Sequence, residues 1–529
     1  MCCASTQGAD SASERESVDR RQAALVERLG ERLGAAGEVA VHETHISRVL
    51  LVGEDAYKLK KPVDLGFLDF STLARRRHFC HEEVRLNRRL APELYLGVVA
   101  ITGTPQAPQL GGDGPVLEYA VHMRRFAQSA LLTQRALTPE IADALAARIA
   151  AFHADAPVAA RDTDYGEPAQ VLALMVENFA VIRDAVTPQG HLAAQLLRLE
   201  QWTRTQAEVL AETLAARRRN GHIREGHGDL HRGNIAVLDG RPLIFDCIEF
   251  SPDLRWIDTA SELAFLLMDL AEAGETAQAR RLLNAYLMHS GDYAALAVLR
   301  FYGVYRAMVR AKVTAIGAAQ HHHGDAAQDD TLRAYVRRAL ALSCQPEAPR
   351  LMILCGLSGS GKTSLALALA AQLPLIHIRS DVERKRLFGL PPLARTDAQP
   401  GAGIYAADAG ERTYARLLQL AGECLRLGYG VLVDATFLSA VRRRAFRLLA
   451  ESHGCPFDIL ALDAPVSVLR RRVAGRYAAG DDASEADLAV LERQLGAREA
   501  LTPAERARAI FIDSREPPAL DRLARLLSA

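Results

Sequence analysis

Two short stretches carry residues suited to handling phosphate. In HGDLHRGN, residues 227–234, Asp229 stands five residues before Asn234, and a second aspartate, Asp246, follows in IFDCIEF after two apolar runs joined by Asp-Gly. A protein-kinase-like transfer uses such a set: one aspartate orients and deprotonates the acceptor hydroxyl, and an asparagine and a second aspartate hold Mg²⁺. A lone HGD would be weak; the three residues with a hairpin between them form a joint signal, against which a plain surface loop is the poorer reading. The second stretch is GLSGSGKT, with Gly356, Leu357, Ser358, Gly359, Ser360, Gly361, Lys362 and Thr363, followed by Ser364 at the head of an apolar helix. Here backbone N–H groups curl around phosphate oxygens, the lysine reaches the β- and γ-phosphates and the threonine can ligate Mg²⁺. One active site needs only one of these devices, so the pair implies two ATP sites.

Each device needs elements to position it. Upstream of Asp229, SRVLLVGEDAYKLKKPV (47–63) reads as a hairpin with a Gly-Glu-Asp turn. It places Lys58 two residues after a small alanine, as a phosphate-binding strand lysine would be; Lys60 lies on the same strand face and stays open as an alternative. RRHFCHEEVRLNRRL (76–90) has helical spacing and offers Glu83, with Glu82 second, as the carboxylate that pins the lysine. A surface salt bridge is the bland reading of either residue. PVLEYAVHM (115–123) and the runs of 235–248 read as further strands, the rest of this half as helices. No G-x-G-x-x-G precedes Lys58.

From Pro349 strands alternate with helices: 350–356, 374–381, 430–437, 457–464 and 509–514 are apolar runs separated by amphipathic stretches, which implies a parallel sheet with covering helices. Sites in such sheets sit at the carboxyl ends of strands. That places Arg379, Asp381 and Asp434 as candidates, each aspartate being as readable as a turn or helix cap. Arg472 and Arg476, four apart before the Gly/Asp-rich 479–484, have the spacing of lid arginines that neutralise a transferring phosphate, or of a solvated basic face.

The chain has 529 residues, more than one core supports, and Lys+Arg and Asp+Glu are equal at 64 each. The balance argues against a general nucleic-acid or membrane-surface binder. Residues 349–529 hold 25 Lys+Arg against 20 Asp+Glu, spread over the domain, with one dense cluster at Arg442, Arg443 and Arg444; nucleic acid is therefore not the expected partner. Eight cysteines without a CxxC pair read as reduced, cytoplasmic usage. No apolar run is long enough to span a membrane. The expected organisation is a disordered tail at 1–19, a first domain at 20–316, a polar linker at 317–348 and a second domain at 349–529. The His triplet of 321–323 reads as a solvated loop rather than a metal site.

Residues 20–316 resemble the aminoglycoside phosphotransferase/choline-kinase-like family, with KKPVDLGFLDFSTLARRRHFCHEEVRLNRRLAPELYLGV strengthening the likeness, and residues 350–529 resemble P-loop small-molecule kinases of the AAA-type ATP-binding group. The resemblance implies a protein-kinase-like α+β fold followed by an α/β P-loop fold, in a bacterial bifunctional architecture using ATP and Mg²⁺. It implies Asp229 as catalytic base, Asn234 and Asp246 as metal ligands, and Asp258 as a brace for the catalytic loop. In the second half it implies Asp381 as proton acceptor, Arg384 on acceptor or phosphate, and Arg472 and Arg476 as the lid. The expected acceptors are small-molecule hydroxyls. Arg306 and Arg310, on a helix expected to face the substrate, lean the first acceptor toward a neutral or anionic metabolite. The alternatives are one catalytic half with a regulatory ATP-binding half, or a polynucleotide 5′-hydroxyl kinase in the second half.

Overall fold

The computed structural model of the chain describes residues 6–34, 39–66, 68–186, 189–320, 326–344, 348–396, 403–479, 482–516 and 519–528. They fall into two compact units. Residues 1–136, 155–170 and 215–266 make the first, and residues 137–154, 171–214 and 267–529 the second. The His triplet lies outside the described residues, as do residues 1–5.

The first unit is built on an antiparallel sheet of strands β1 (Val39–Glu43), β2 (Ser47–Val52), β3 (Asp55–Lys60), β4 (Tyr95–Thr104), β5 (Ala107–Leu110) and β6 (Val116–Arg124), in the order β1-β2-β3-β6-β4-β5. The β2–β3 hairpin turns at Gly53–Glu54, so the strand carrying both lysines lies inside the sheet between β2 and β6. Helix Leu73–Asn87 is capped by the Thr72 side chain, which accepts from the Arg75 N–H. Its Cys80 and Val84 pack on Tyr95 and Val121 of the sheet, which turns Glu83 toward β3. A helix runs from Thr6 to Gly34, through part of the stretch expected as a disordered tail, and its Leu25, Val26 and Leu29 bury against Leu50, Tyr57, Leu59 and Ile101. Beyond the sheet come β7 (Ile223–Glu225), the loop 226–234, the hairpin β8 (Ile235–Leu238) and β9 (Arg241–Ile244), and β10 (Trp256–Asp258), which pairs with β7.

The second unit contains the parallel sheet, with β11 (Leu351–Cys355), β12 (Leu375–Arg379), β13 (Gly430–Asp434), β14 (Phe457–Asp463) and β15 (Ile510–Asp513) in the order β12-β13-β11-β14-β15. Strand β11 is buried throughout, as a strand covered on both faces must be. Chain order reverses beside it, so the loop after β11 opens at the switch point where such sheets bind ligands.

A linker was expected across 317–348, yet 326–343 is helix. Leu332, Tyr335, Val336 and Ala339 recur at helical spacing and are buried, and the helix packs on the preceding one, Leu296–Gln320. The edge strand β12 is not left bare either. Asn284, on helix Thr276–Ser290, accepts from the His377 N–H at 2.7 Å and donates to the Leu375 carbonyl at 3.0 Å. One buried amide thus stands in for a neighbouring strand at an edge that would otherwise hold unpaired groups. Nearby, Tyr293 Oη donates to Glu383 at 3.3 Å and Arg386 donates to the Met288 carbonyl at 2.7 Å.

Replacing Asn284 by leucine keeps the volume and strands one buried carbonyl and one buried N–H. We expect a loss of ~2–4 kcal/mol in urea unfolding, followed at the transition of the unit that contains the parallel sheet. An unshifted midpoint would show that the edge is satisfied by other means.

Candidate active sites

In the first unit five ionisable side chains meet. Lys58 Nζ lies 2.9 Å from Glu83 Oε1 and 2.5 Å from Asp246 Oδ1. Lys60 Nζ lies 2.7 Å from Glu83 Oε2 and pairs with Glu249. Both lysines therefore share one carboxylate, and Glu83 is completely buried. Burial pushes its carboxyl up, but the two ammonium groups bring it down to about 2. Burial works against the charge on Lys58, yet Asp246 and Glu83 outweigh it and hold the ammonium well above its ordinary range. Of the alternatives open in the sequence, Lys58 is the lysine that meets Asp246, while Lys60 is 1% exposed and turned inward. Glu82 pairs instead with Arg85 at 2.9 Å.

The loop 226–234 is held from behind. Glu262 accepts from the backbone N–H groups of His227 at 2.5 Å and Gly228 at 2.8 Å. Gly228 has φ +87°, and a Cβ there would stand 2.8 Å from the Leu254 carbonyl, so only glycine fits. His227 is buried, its Nε2 donating to the Phe245 carbonyl at 2.8 Å, and burial lowers its pKa. Asp258 takes the Arg217 guanidinium in a two-pronged pair. Asp229 meets Asn234, whose Nδ2 donates to Asp229 Oδ2 and to its carbonyl, both at 3.0 Å. That leaves Asn234 Oδ1 as the atom of this side chain suited to a cation. His231, not singled out in the sequence, places Nε2 3.2 Å from Asp229 Oδ2 while its Nδ1 accepts from the Gly233 N–H. Asp246 sits at φ +63°, a conformation costly for a residue with a side chain, held by Tyr95 Oη on its own N–H and by Asn87 on that of Cys247.

In the second unit residues 356–364 wrap the head of helix Lys362–Gln372. Gly359 has φ +81°, and a Cβ there would stand 2.8 Å from the Leu469 carbonyl, so the loop closes on helix Val466–Ala479. Lys362 Nζ donates to the Leu357 carbonyl at 2.9 Å, and burial lowers its pKa against the favourable charges of Asp434 and Asp381. Thr363 Oγ1 donates to Asp434 Oδ2 at 2.6 Å. Burial pushes the Asp434 carboxyl up, but the imidazole of His377, 3.5 Å away, with Arg379 and Lys362, draws it well below the usual carboxylate range. Ser358 N–H donates to Gln494, and Ser360 Oγ is buried without a hydrogen-bond partner. Asp381 and Arg384 form an ion pair at 3.0 Å on the short helix after β12. Arg472 reaches the loop, donating to the carbonyls of Gly359 and Ser514. Arg476 donates to the Ala486 carbonyl, and Arg379 pairs with Asp482 of the segment beyond helix Val466–Ala479.

Two basic features take on other roles. Arg443, centre of the 442–444 cluster, is completely buried, paired with Glu505 at 2.9 Å and bonded to the carbonyls of Phe437 and Ala500. It staples a helix to the loop rather than facing a polyanion. Arg306, expected to face a substrate, is buried over the ring of Tyr305, and Arg310 lies over that of Tyr335 in the following helix. Their charge is committed to packing, so it no longer argues for an anionic acceptor.

Residues 48–302 match the phosphotransferase enzyme family and residues 351–501 match an AAA domain. The uncharacterized protein Rv2004c of Mycobacterium tuberculosis is 31% identical over 466 residues, 87% of this chain and 90% of that protein. The chain belongs to this two-domain family, in which a phosphotransferase domain precedes a P-loop domain. An adenylyl-sulfate kinase of Myxococcus xanthus is 35% identical over 125 residues, 23% of this chain and 63% of that enzyme. Among solved structures, a choline/ethanolamine kinase family protein from Mesorhizobium loti is 15% identical over 61% of this chain and 96% of that one, with a TM-score of 0.38. Both domains are kinase-like, the first matching a phosphotransferase family and the second a P-loop ATP-binding domain. Among the described residues no helix is long and apolar enough to cross a membrane.

Arg443→Ala takes the buried cation from Glu505 and is expected to cost about 3–5 kcal/mol in urea unfolding. Arg444→Ala, at an exposed position of the same helix, is expected to stay within about 0.5 kcal/mol. Equal, small effects of both would return the cluster to the surface.

Proposed function

We propose that the chain is a bifunctional ATP-dependent phosphotransferase, each half moving the γ-phosphoryl group of ATP to a hydroxyl of a small molecule. One observation carries the reading. In each unit a carboxylate suited to accept a hydroxyl proton, Asp229 or Asp381, accompanies a lysine and a separate cation-binding pair. The domains taken to act are 20–316 and 349–529.

The residues present fit ATP and Mg²⁺. Asn234 Oδ1 with Asp246, and Thr363 with Asp434, each offer oxygen donors. No cluster of three or more His, Cys, Asp or Glu able to hold a metal occurs among the described residues. Two protein donors per site suit an ion that takes its remaining oxygens from phosphates and water. Bound there, Mg²⁺ would neutralise charge developing on the phosphate oxygens. Lys58 and Lys362 orient the phosphates, Glu83 keeps Lys58 in place, and the N–H groups of 356–364 cradle the β-phosphate. Asp229 or Asp381 takes the hydroxyl proton as the acceptor oxygen bonds to the γ-phosphorus and the bond to the β–γ bridging oxygen breaks, leaving ADP. His231 and Asn234 hold Asp229 at the angle this needs, and Arg472, Arg476 and Arg384 supply positive charge on the second site's open side.

The test separates binding from chemistry. Asp229→Asn in a chain carrying Lys362→Ala is expected to keep Mg·ATP affinity within a few fold and to cut transfer by ~10²–10⁴. Acceptors for the assay come from a metabolite extract with labelled ATP. Asp246→Ala is expected to weaken Mg²⁺-dependent ATP binding directly. Turnover by Asp229→Asn equal to its parent's would end the kinase reading of residues 227–234.

A further inference from the structure

Asp246 has an unfavourable backbone conformation within the first site. It stands in a segment without regular structure, at a left-handed φ of +63°, with its carboxylate half exposed and 2.5 Å from Lys58. That contact cannot persist unchanged once phosphates draw on Lys58, because the ammonium must then share its hydrogen bonds with them. Tyr95 Oη and Asn87 still hold the backbone there, and a second side-chain tie is needed to keep the carboxylate in register.

The geometry supplies it. Lys58 and Lys60 are two apart on β3 and so face the same side. Asp246 and Glu249 are three apart on the opposing segment. Lys58 pairs with Asp246, Lys60 pairs with Glu249, and Glu83 bridges the two lysines at 2.9 and 2.7 Å. The result is a continuous chain of ion pairs, Asp246–Lys58–Glu83–Lys60–Glu249, that ties strand to segment at two points. The inner point is sealed: Lys60 is 1% and Glu249 5% exposed, so neither can reach a ligand. The inner ammonium also lies 5.0 Å from the Phe70 ring, and the Glu249 carbonyl accepts from Arg255 at 3.1 Å. A buried pair of this kind need not add net stability, but removing one partner leaves a charge that disturbs what it touched.

We propose that Lys60 and Glu249 are positioning residues for Asp246: they keep its carboxylate where a Mg²⁺ ion bound with nucleotide can use it, after Lys58 has turned to the phosphates. This rests on the reading of the first site as a Mg·ATP site and says which otherwise purposeless buried charges make it work.

The experiment measures binding of the non-hydrolysable ATP analogue AMP-PNP to the full chain carrying Lys362→Ala, as a function of Mg²⁺. Adding Glu249→Gln is expected to raise the Mg²⁺ concentration for half-maximal binding about tenfold, while Mg²⁺-free affinity stays within about twofold. The charge-free pair Lys60→Met/Glu249→Leu leaves neither partner alone and serves if the single variant does not fold; it is expected to show the same rise. An unchanged Mg²⁺ requirement in a folded variant overturns the proposal. So does an equal loss of affinity with and without Mg²⁺, the mark of a merely structural pair. If the Lys362→Ala parent itself shows no Mg²⁺-dependent binding, the Mg·ATP reading of the first site falls, and this proposal with it.

Discussion

Burying an ammonium group costs several kcal/mol unless an anion goes with it, and both candidate sites are organised by that constraint. In the first unit the protein supplies the anions itself. Lys58 and Lys60 are flanked by Glu83, Asp246 and Glu249, and their positions dictate how β3, helix Leu73–Asn87 and the segment after β9 pack. In the second unit Lys362 has only a neutral carbonyl in direct contact, and burial depresses its pKa. An ammonium left in that condition gains most from an incoming phosphate. The first site is thus pre-paired and must exchange partners on binding, whereas the second is under-paired and is completed by binding.

The same constraint explains where rigidity is placed. Asp246 is anchored through Tyr95, Asn87 and the inner lysine pair because its own conformation is unfavourable. The loop of 226–234 hangs from Glu262 and needs glycine at 228 to pass the Leu254 carbonyl. In the second unit the P-loop follows β11, a strand buried throughout. Asp381 and Arg384 instead follow the edge strand β12, which depends on Asn284 for its outer hydrogen bonds. Residues 356–364 and the Asp381–Arg384 pair therefore rest on supports of different kind within one sheet.

Much of this was legible in the sequence, and the exceptions have physical causes. All five strands of the parallel sheet show as apolar runs, most clearly β11 and β13, which are buried throughout, and the cradle of 356–364 carries its own motif. The triad of Asp229, Asn234 and Asp246 was readable because its members are close in sequence. Period-two alternation put Lys58 and Lys60 on one face but could not say which of them meets Asp246; that depends on a segment 188 residues away. Glu249, Asn284 and His231 carried no signal, since each acts through a fold contact rather than a motif. Helix Ala326–Ser343 was hidden in a stretch read by its polar, Gly/Ala-rich beginning, although Leu332, Tyr335, Val336 and Ala339 show the helical period. The arginines were misjudged most, at 306, 310 and 443, because charge counted along a chain does not distinguish a guanidinium in solvent from one stacked on tyrosine or buried against carbonyls.

The central claim is that one chain holds two separately built nucleotide sites. Its most direct test is the stoichiometry of Mg·AMP-PNP binding to the full chain at saturation. The account predicts two per chain for the native protein, one for Lys58→Met, one for Lys362→Ala and none for the double variant. A single nucleotide per native chain, or two surviving the loss of Lys362, would contradict it.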